Sequence, residues 1–129
     1  MENTNYSSTV AYSSMELSAR ERIRIKDTST SIKIDEVVTP ETPLVIPVKG
    51  YVVLDIHNDK SDDKDYKNYV IVGTDGNTYI SGSESLFNSF KDIYEEMEKE
   101  GGNEEYSVEV SKLPSKNYTN KYFLTCSIL

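Results

Sequence analysis

The sequence predicts a mainly β domain: a five-stranded barrel with one amphipathic helix between its third and fourth strands, preceded by an N-terminal hairpin. Three observations predict it. Short segments from residue 48 onward alternate with period two. One stretch alone, from Ser85 to Met97, changes to steps of three and four. Glycine- and aspartate-rich turns punctuate the segments.

The core begins near Val48. Over 48–57, Val52, Leu54 and Ile56 fall on one face and Tyr51, Val53 and Asp55 on the other. Residues 58–65 form a charged loop, and 66–72 a second strand with Val70 and Val72 opposing Tyr69 and Ile71. Thr74-Asp75-Gly76-Asn77 is a hairpin turn, because Asp-Gly supplies the positive φ that such turns need. Residues 77–81 make a short third strand. Leu86, Phe87, Phe90, Ile93, Tyr94 and Met97 then describe one helical stripe. Ser83 or Ser85 serves as N-cap and Gly101-Gly102 ends the helix. Alternation returns over 106–111, where Tyr106, Val108 and Val110 oppose Ser107, Glu109 and Ser111. It returns again over 121–128, with Tyr122, Leu124, Cys126 and Ile128 on one face.

Upstream, residues 21–26 alternate between charged and apolar and read as a half-buried basic strand. Residues 31–38 begin the same way, so the pair reads as a hairpin about a turn at 27–30. Prolines at 40, 43 and 47 exclude a central strand and suggest an extended connector. Residues 1–17 are rich in Ser, Thr and Asn, lack periodicity and read as a disordered tail. A single domain is therefore expected over 18–129.

The order strand, strand, strand, helix, strand, strand is that of the OB fold, in which the helix plugs a small barrel. An open α+β sheet with the helix on one face is the rival architecture. The 129 residues suit one domain of either kind.

Composition narrows the chemistry. The net charge of -8 is unevenly spread. Residues 83–105 hold eight acids against two lysines, whereas 106–129 hold Lys112, Lys116 and Lys121 against Glu109. Residues 20–26 hold Arg20, Arg22, Arg24 and Lys26 against Glu21. The acid thus sits on one element and the base elsewhere. One cysteine, Cys126, allows no intrachain disulfide. No apolar run approaches the ~20 residues of a membrane span, and the N-terminus lacks signal-peptide features. A reducing cytosol is the expected compartment, with no membrane partner.

Enzyme chemistry finds few candidates. The sole histidine, His57, pairs plausibly with Asp55, and Cys126 falls on an apolar strand face where a buried thiol is ordinary. Asp59, Ser61, Asp63 and Asp65 mimic a calcium loop, but Lys64 and Val70 stand where an EF-hand needs Gly and Glu. No zinc ligand set, phosphate loop or nucleophile elbow is present. No catalytic residue, metal or cofactor is expected.

The stretch Gly76–Ile93, with its Gly-Asn-Thr-Tyr-Ile-Ser-Gly-Ser-Glu-Ser run, and the stretch Lys112–Thr125, with Ser-Lys-Asn-Tyr, carry a resemblance. They resemble small single-stranded-DNA-binding proteins of phages and mobile elements from Gram-positive bacteria. There, a glycine-turned hairpin leads into a serine-flanked helix, and a similar loop precedes the closing strand. The resemblance spans about residues 48–129 and implies an OB fold with nucleic-acid binding or a derived role. The chain departs from it in its acidity and in ending Cys126-Ser-Ile-Leu129 without an acidic-apolar tail.

A single-strand binder needs cations for phosphates and aromatic faces for bases. The loop before the last strand supplies Lys112, Lys116, Tyr118 and Lys121. The loop between the first two core strands supplies Lys60, Lys64, Tyr66 and Lys67 among aspartates. Tyr51, Tyr69 and Tyr79 form a candidate stacking platform whose barrel face alternation does not fix. The expectation is a sequence-nonspecific single-stranded-DNA-binding protein supporting replication or recombination of a phage or mobile element. The alternative is an acidic module that inhibits a host defence protein through Asp92, Glu95, Glu96 and Glu100 on the helix. Homo-oligomerisation stays open.

Overall fold

A computed structural model describes residues 6–102, 104–116, 119 and 121–129. In chain order the elements are β1 (Tyr6–Ser13), α1 (Ala19–Lys26), a 3-10 turn (Thr28–Thr30), β2 (Ile32–Lys33) and α2 (Ile34–Val37). They continue as β3 (Leu44–Asn58), β4 (Asp65–Gly73), β5 (Thr78–Ser81), α3 (Glu84–Lys99), β6 (Ser107–Pro114) and β7 (Tyr122–Ile128). The fold is mainly β, and the described residues form seven strands in place of the expected closed five-stranded barrel with an N-terminal hairpin. They form one curled mixed sheet in the order β2-β5-β4-β3-β6-β7, with β1 added on β3. Every pairing is antiparallel except β2 with β5. Among the described residues no ladder joins β5 to β7, so the curl is a half-barrel.

β3 is the spine. Its first residues, Leu44–Pro47, pair with β6. The stretch from Val48 to His57 pairs with β4, and Val52–Asn58 pairs along the other edge with β1. A bulge between Val48 and Gly50 marks the change of partner. Glycine suits that bend, because a Cβ on Gly50 would stand 2.7 Å from Met15 Sδ. The crossing segment is fixed there by Ser14 N donating to Tyr51 O and Tyr51 N donating to Ser14 Oγ, both at 2.9 Å.

Contrary to the reading of the prolines as a connector, β3 begins directly after Pro43 and includes Pro47. The Pro47 carbonyl accepts from Thr74 N at 3.0 Å. It therefore faces the side on which β4 has already ended at Gly73, where no ladder bond requires the missing N–H.

Both faces of the sheet are buried, in two separate cores. On one face α3 packs Leu86 and Phe90 against Ile46, Val48, Tyr51, Val53, Ile71, Tyr79, Val108, Val110, Leu124 and Cys126, joined by Ile34 and Val38 of the α2 segment. On the other, Val52, Leu54, Ile56, Val70 and Ile80 are covered by Ile25 of α1 with Leu17 and Val10. The segment Tyr51–Leu54 is thus buried residue by residue, as strands covered on both faces are.

The core strands, the central helix and its stop lie where the periodicity puts them. Ser83 rather than Ser85 caps α3, its Oγ accepting from Leu86 N at 3.2 Å. The helix closes with Gly101 N and Gly102 N donating to Glu98 O and Met97 O. Gly76 has φ 87° in the β4–β5 turn. Ser85 Oγ donates to Leu124 O, and Ser89 bonds Thr125 side chain to side chain, both at 3.0 Å, so α3 clips the outer margin of β7.

The N-terminal third departs from expectation. Residues 6–13 of the supposed tail form β1, while residues 1–5 lie outside the described residues. The basic stretch 21–26 is the helix α1, not a strand. Its Ser18 and Glu21 form a capping box, with Ser18 N donating to Glu21 and Glu21 N donating to Ser18 Oγ. Such a box satisfies two helix-end N–H groups at once, and these bonds hold the Glu21 carboxyl below its usual range. As a helix, α1 buries Ile25 and leaves Ile23 68% exposed. The 31–38 strand shrinks to the two residues of β2, followed by the α2 turn. The expected N-terminal hairpin is therefore replaced by a helix and a short parallel strand. In β7 only Leu124 and Cys126 are buried, and Tyr122 and Ile128 are exposed.

Two stability outcomes follow. Phe90 is fully buried against the Tyr51 ring, so Phe90→Ala should cost about 3–5 kcal/mol in urea unfolding. Deleting residues 2–14 strips β3 of its β1 partner and should lower the thermal midpoint by at least roughly 5 °C. An unchanged melt would show that β1 contributes nothing to the fold.

Candidate nucleic-acid interface

The β6–β7 hairpin carries the densest meeting of cations and open aromatics. Its ladder sets Leu113 opposite Phe123, Pro114 opposite Tyr122 and Lys112 opposite Leu124. Directly opposed residues share a face with Cβ atoms about 5 Å apart, so Leu113 and Phe123 form one apolar step. Leu113, Tyr122 and Phe123 are 43%, 53% and 41% exposed. Ser115 N donates to Lys121 O at 2.8 Å and holds the two strands together at the turn. Lys116 and Lys121 are exposed and Lys112 half-buried. No acidic side chain follows Glu109 in the sequence, so no carboxylate side chain neighbours Lys116 or Lys121 along the chain. Tyr118, the aromatic expected in this loop, lies outside the described residues.

The other expected cations sit elsewhere and in different company. Lys60 and Lys64 are exposed on the loop after β3, which Asn58 N closes by donating to Lys64 O at 2.7 Å. Lys67 Nζ is 2.5 Å from Asp55 Oδ1, and this partner raises its pKa. Tyr66 packs against the α1-covered core. The full length of β3 separates this loop, which leaves at Asn58, from the hairpin, which joins at Leu44–Pro47. The two loops therefore do not share one end of the spine.

The tyrosine platform does not form as an open surface. Tyr51 and Tyr79 are each 4% exposed and belong to the α3-side core, and desolvation pushes the Tyr51 hydroxyl up to about 12. Tyr79 donates its hydroxyl to Asp75 at 2.6 Å, which lowers the Asp75 pKa. Tyr69 lies flat on Phe87, with ring centroids 4.2 Å apart and 9° between planes. All three pack into the α3-side core.

The acids of α3 are exposed at Asp92, Glu95, Glu96 and Glu100. Lys99 bonds Glu96 at 3.1 Å and Lys91 stands 4.0 Å from Glu95. Cys126 is buried, and burial pushes its thiol up to about 11, which leaves it protonated.

Sequence reasoning missed Leu113, Tyr122 and Phe123. An exposed Phe opposite a Leu beside three lysines was readable from residues 112–123, but only with the register known. His57 pairs with Asp59 and Asp65, each at 2.8 Å, and not with the expected Asp55. With a carboxylate on each ring nitrogen, only the imidazolium satisfies both contacts. The bond to Asp65 is the larger cause of its raised pKa.

Because the folded pKa is raised, the ring's contribution to the loop is complete below the unfolded value of about 6.5. It disappears as pH rises through the folded midpoint. A proton-NMR titration should place the His57 midpoint above 6.5. Loop amides at 59–64 should lose exchange protection above that midpoint and not below it. A midpoint at or under the free-imidazole value would exclude the double bridge.

No family model matches this sequence, and no curated protein or solved structure is detectably similar to it.

Proposed function

We propose that this chain is a single-stranded-DNA-binding protein of low sequence preference, not an enzyme, serving replication or recombination of a phage or mobile element in the bacterial cytoplasm. The observation that carries the reading is the β6–β7 hairpin, with Tyr122 open on the face it shares with Lys112, the Leu113–Phe123 step open on the other face, and Lys116 and Lys121 exposed at the turn. Aromatic faces accept bases of any identity while ammonium groups follow the phosphates.

The architecture supports it. Within the sheet, the run β5-β4-β3-β6-β7, with α3 between β5 and β6, has the strand order of an OB barrel. We read the half-barrel as such a fold left open between β5 and β7, with residues 6–43 as an elaboration. In the chain as a whole, no described helix is long and apolar enough to cross a membrane.

One observation favours the second reading, an inhibitor of a host protein. The sheet face around Val52, Leu54 and Val70, which would otherwise be open, is closed by α1, and the exposed acids of α3 offer a surface to a basic partner.

Fluorescence anisotropy with labelled oligothymidine at two salt concentrations tests the proposal. Loss of one stacked base is worth ~1–3 kcal/mol, so Phe123→Ala should weaken binding roughly five- to a hundredfold. Lys116→Ala should weaken all sequences alike and reduce the salt slope by about 0.7. If no strand binds at low salt, and reversing Glu95 and Glu96 to Lys abolishes capture of a protein partner, the inhibitor reading replaces this one.

A further inference from the structure

A cleft of about 480 Å³ opens between the end of β1 and α3, lined by Tyr12, Tyr51, Phe87, Lys67, Lys91 and Glu95 with Ala11 and Val53. Its size falls among those of small-molecule sites. Its floor is rigid: the Tyr51 ring meets Phe87 edge-on at 5.4 Å, and Phe87 is stacked on Tyr69. Its wall is open. Tyr12 is 54% exposed and its ring centroid stands 5.7 Å from that of Tyr51. Two lysines line it from different elements, Lys67 from β4 and Lys91 from α3. Lys67 is already held by Asp55. Lys91 stands 4.0 Å from Glu95, the limit of an ion pair, and its side chain is 45% exposed.

We infer that this cleft binds one nucleotide, its base against Tyr12 and its phosphate on Lys91. A flat ring is the shape that fits beside a tilted tyrosine above an aromatic floor. A phosphate is the group that outbids the distant Glu95 for Lys91, since ammonium–phosphate contacts are charge-assisted at both ends. β1 supplies the wall, so the N-terminal strand becomes part of a site rather than a covering. The inference deepens the single-strand reading by giving the bound strand a second anchor, while the same chemistry admits a free mononucleotide.

Tyrosine fluorescence and amide NMR shifts of the full chain, followed during addition of dTMP, thymidine, deoxyribose 5-phosphate or a short oligothymidine, test it. dTMP should shift the amides of Tyr12 and Lys91, and thymidine or the sugar phosphate alone should bind at least roughly tenfold more weakly. Tyr12→Ala should weaken oligothymidine binding roughly five- to a hundredfold. Lys91→Ala, on the exposed helix face and safe for folding, should weaken dTMP binding. Glu95→Gln should tighten it, because a carboxylate beside the phosphate is removed. Weakening by Glu95→Gln would mean that the cleft takes a cation and would overturn the inference. Oligothymidine binding that depends on Phe123 but not on Tyr12, Lys91 or Glu95 overturns it and leaves the function standing. Shifts with dTMP but no binding of any strand uphold the cleft as a mononucleotide site and overturn the function.

Discussion

Everything in this fold depends on β3 being apolar on both faces. A half-buried strand would have needed one core. Here Tyr51 and Val53 point into the α3 core while Val52 and Leu54 point away from it. Exposing the second set to water would forfeit roughly 1.5–3 kcal/mol per large side chain. The chain answers with α1 and Leu17, placed over that face by the Ser18–Glu21 capping box. The cover supplied by Val10, Leu17 and Ile25 is therefore matched to the composition of a strand that comes after them.

The same strand explains where charge goes. Apart from Lys49 beside the bulge, its charged groups lie near its end, where Asp55 meets Lys67 and His57 meets two aspartates. The cations there are matched by carboxylates. Lys116 and Lys121 of the β6–β7 hairpin have none nearby in sequence. A net acidity of -8 thus coexists with a basic, aromatic edge, because every acidic side chain lies at or before Glu109 in the sequence.

Much of the fold from Val48 onward was legible in the sequence, for a physical reason. Each core element there is long enough to show its period, and each is bounded by a residue with one meaning, such as Gly76 or Ser83. The N-terminal part was not. Six alternating residues, 21–26, fit a strand by period two, yet a helix buries Ile25 and exposes Ile23 equally well. The Ser18-x-x-Glu21 signal was the better evidence. Residues 6–13 carry no apolar stripe because β1 gains its order from the backbone of β3 rather than from its own side chains. At the site, the lysines were legible as charges. Burial of Tyr51 and Tyr79 was not, since alternation states that faces differ but not which face meets the helix.

β1 also has a history within the chain's own synthesis. It leaves the ribosome before its partner Val52–Asn58, which arrives some forty residues later, after α1 and α2. During that interval a strand without a single charged side chain waits unpaired. Charges and prolines are the usual guards against adventitious pairing between nascent chains, and Tyr6–Ser13 has neither. Protection falls instead to the serines and threonine that solvate the segment and to the bulge at Ala11, which spoils a regular ladder.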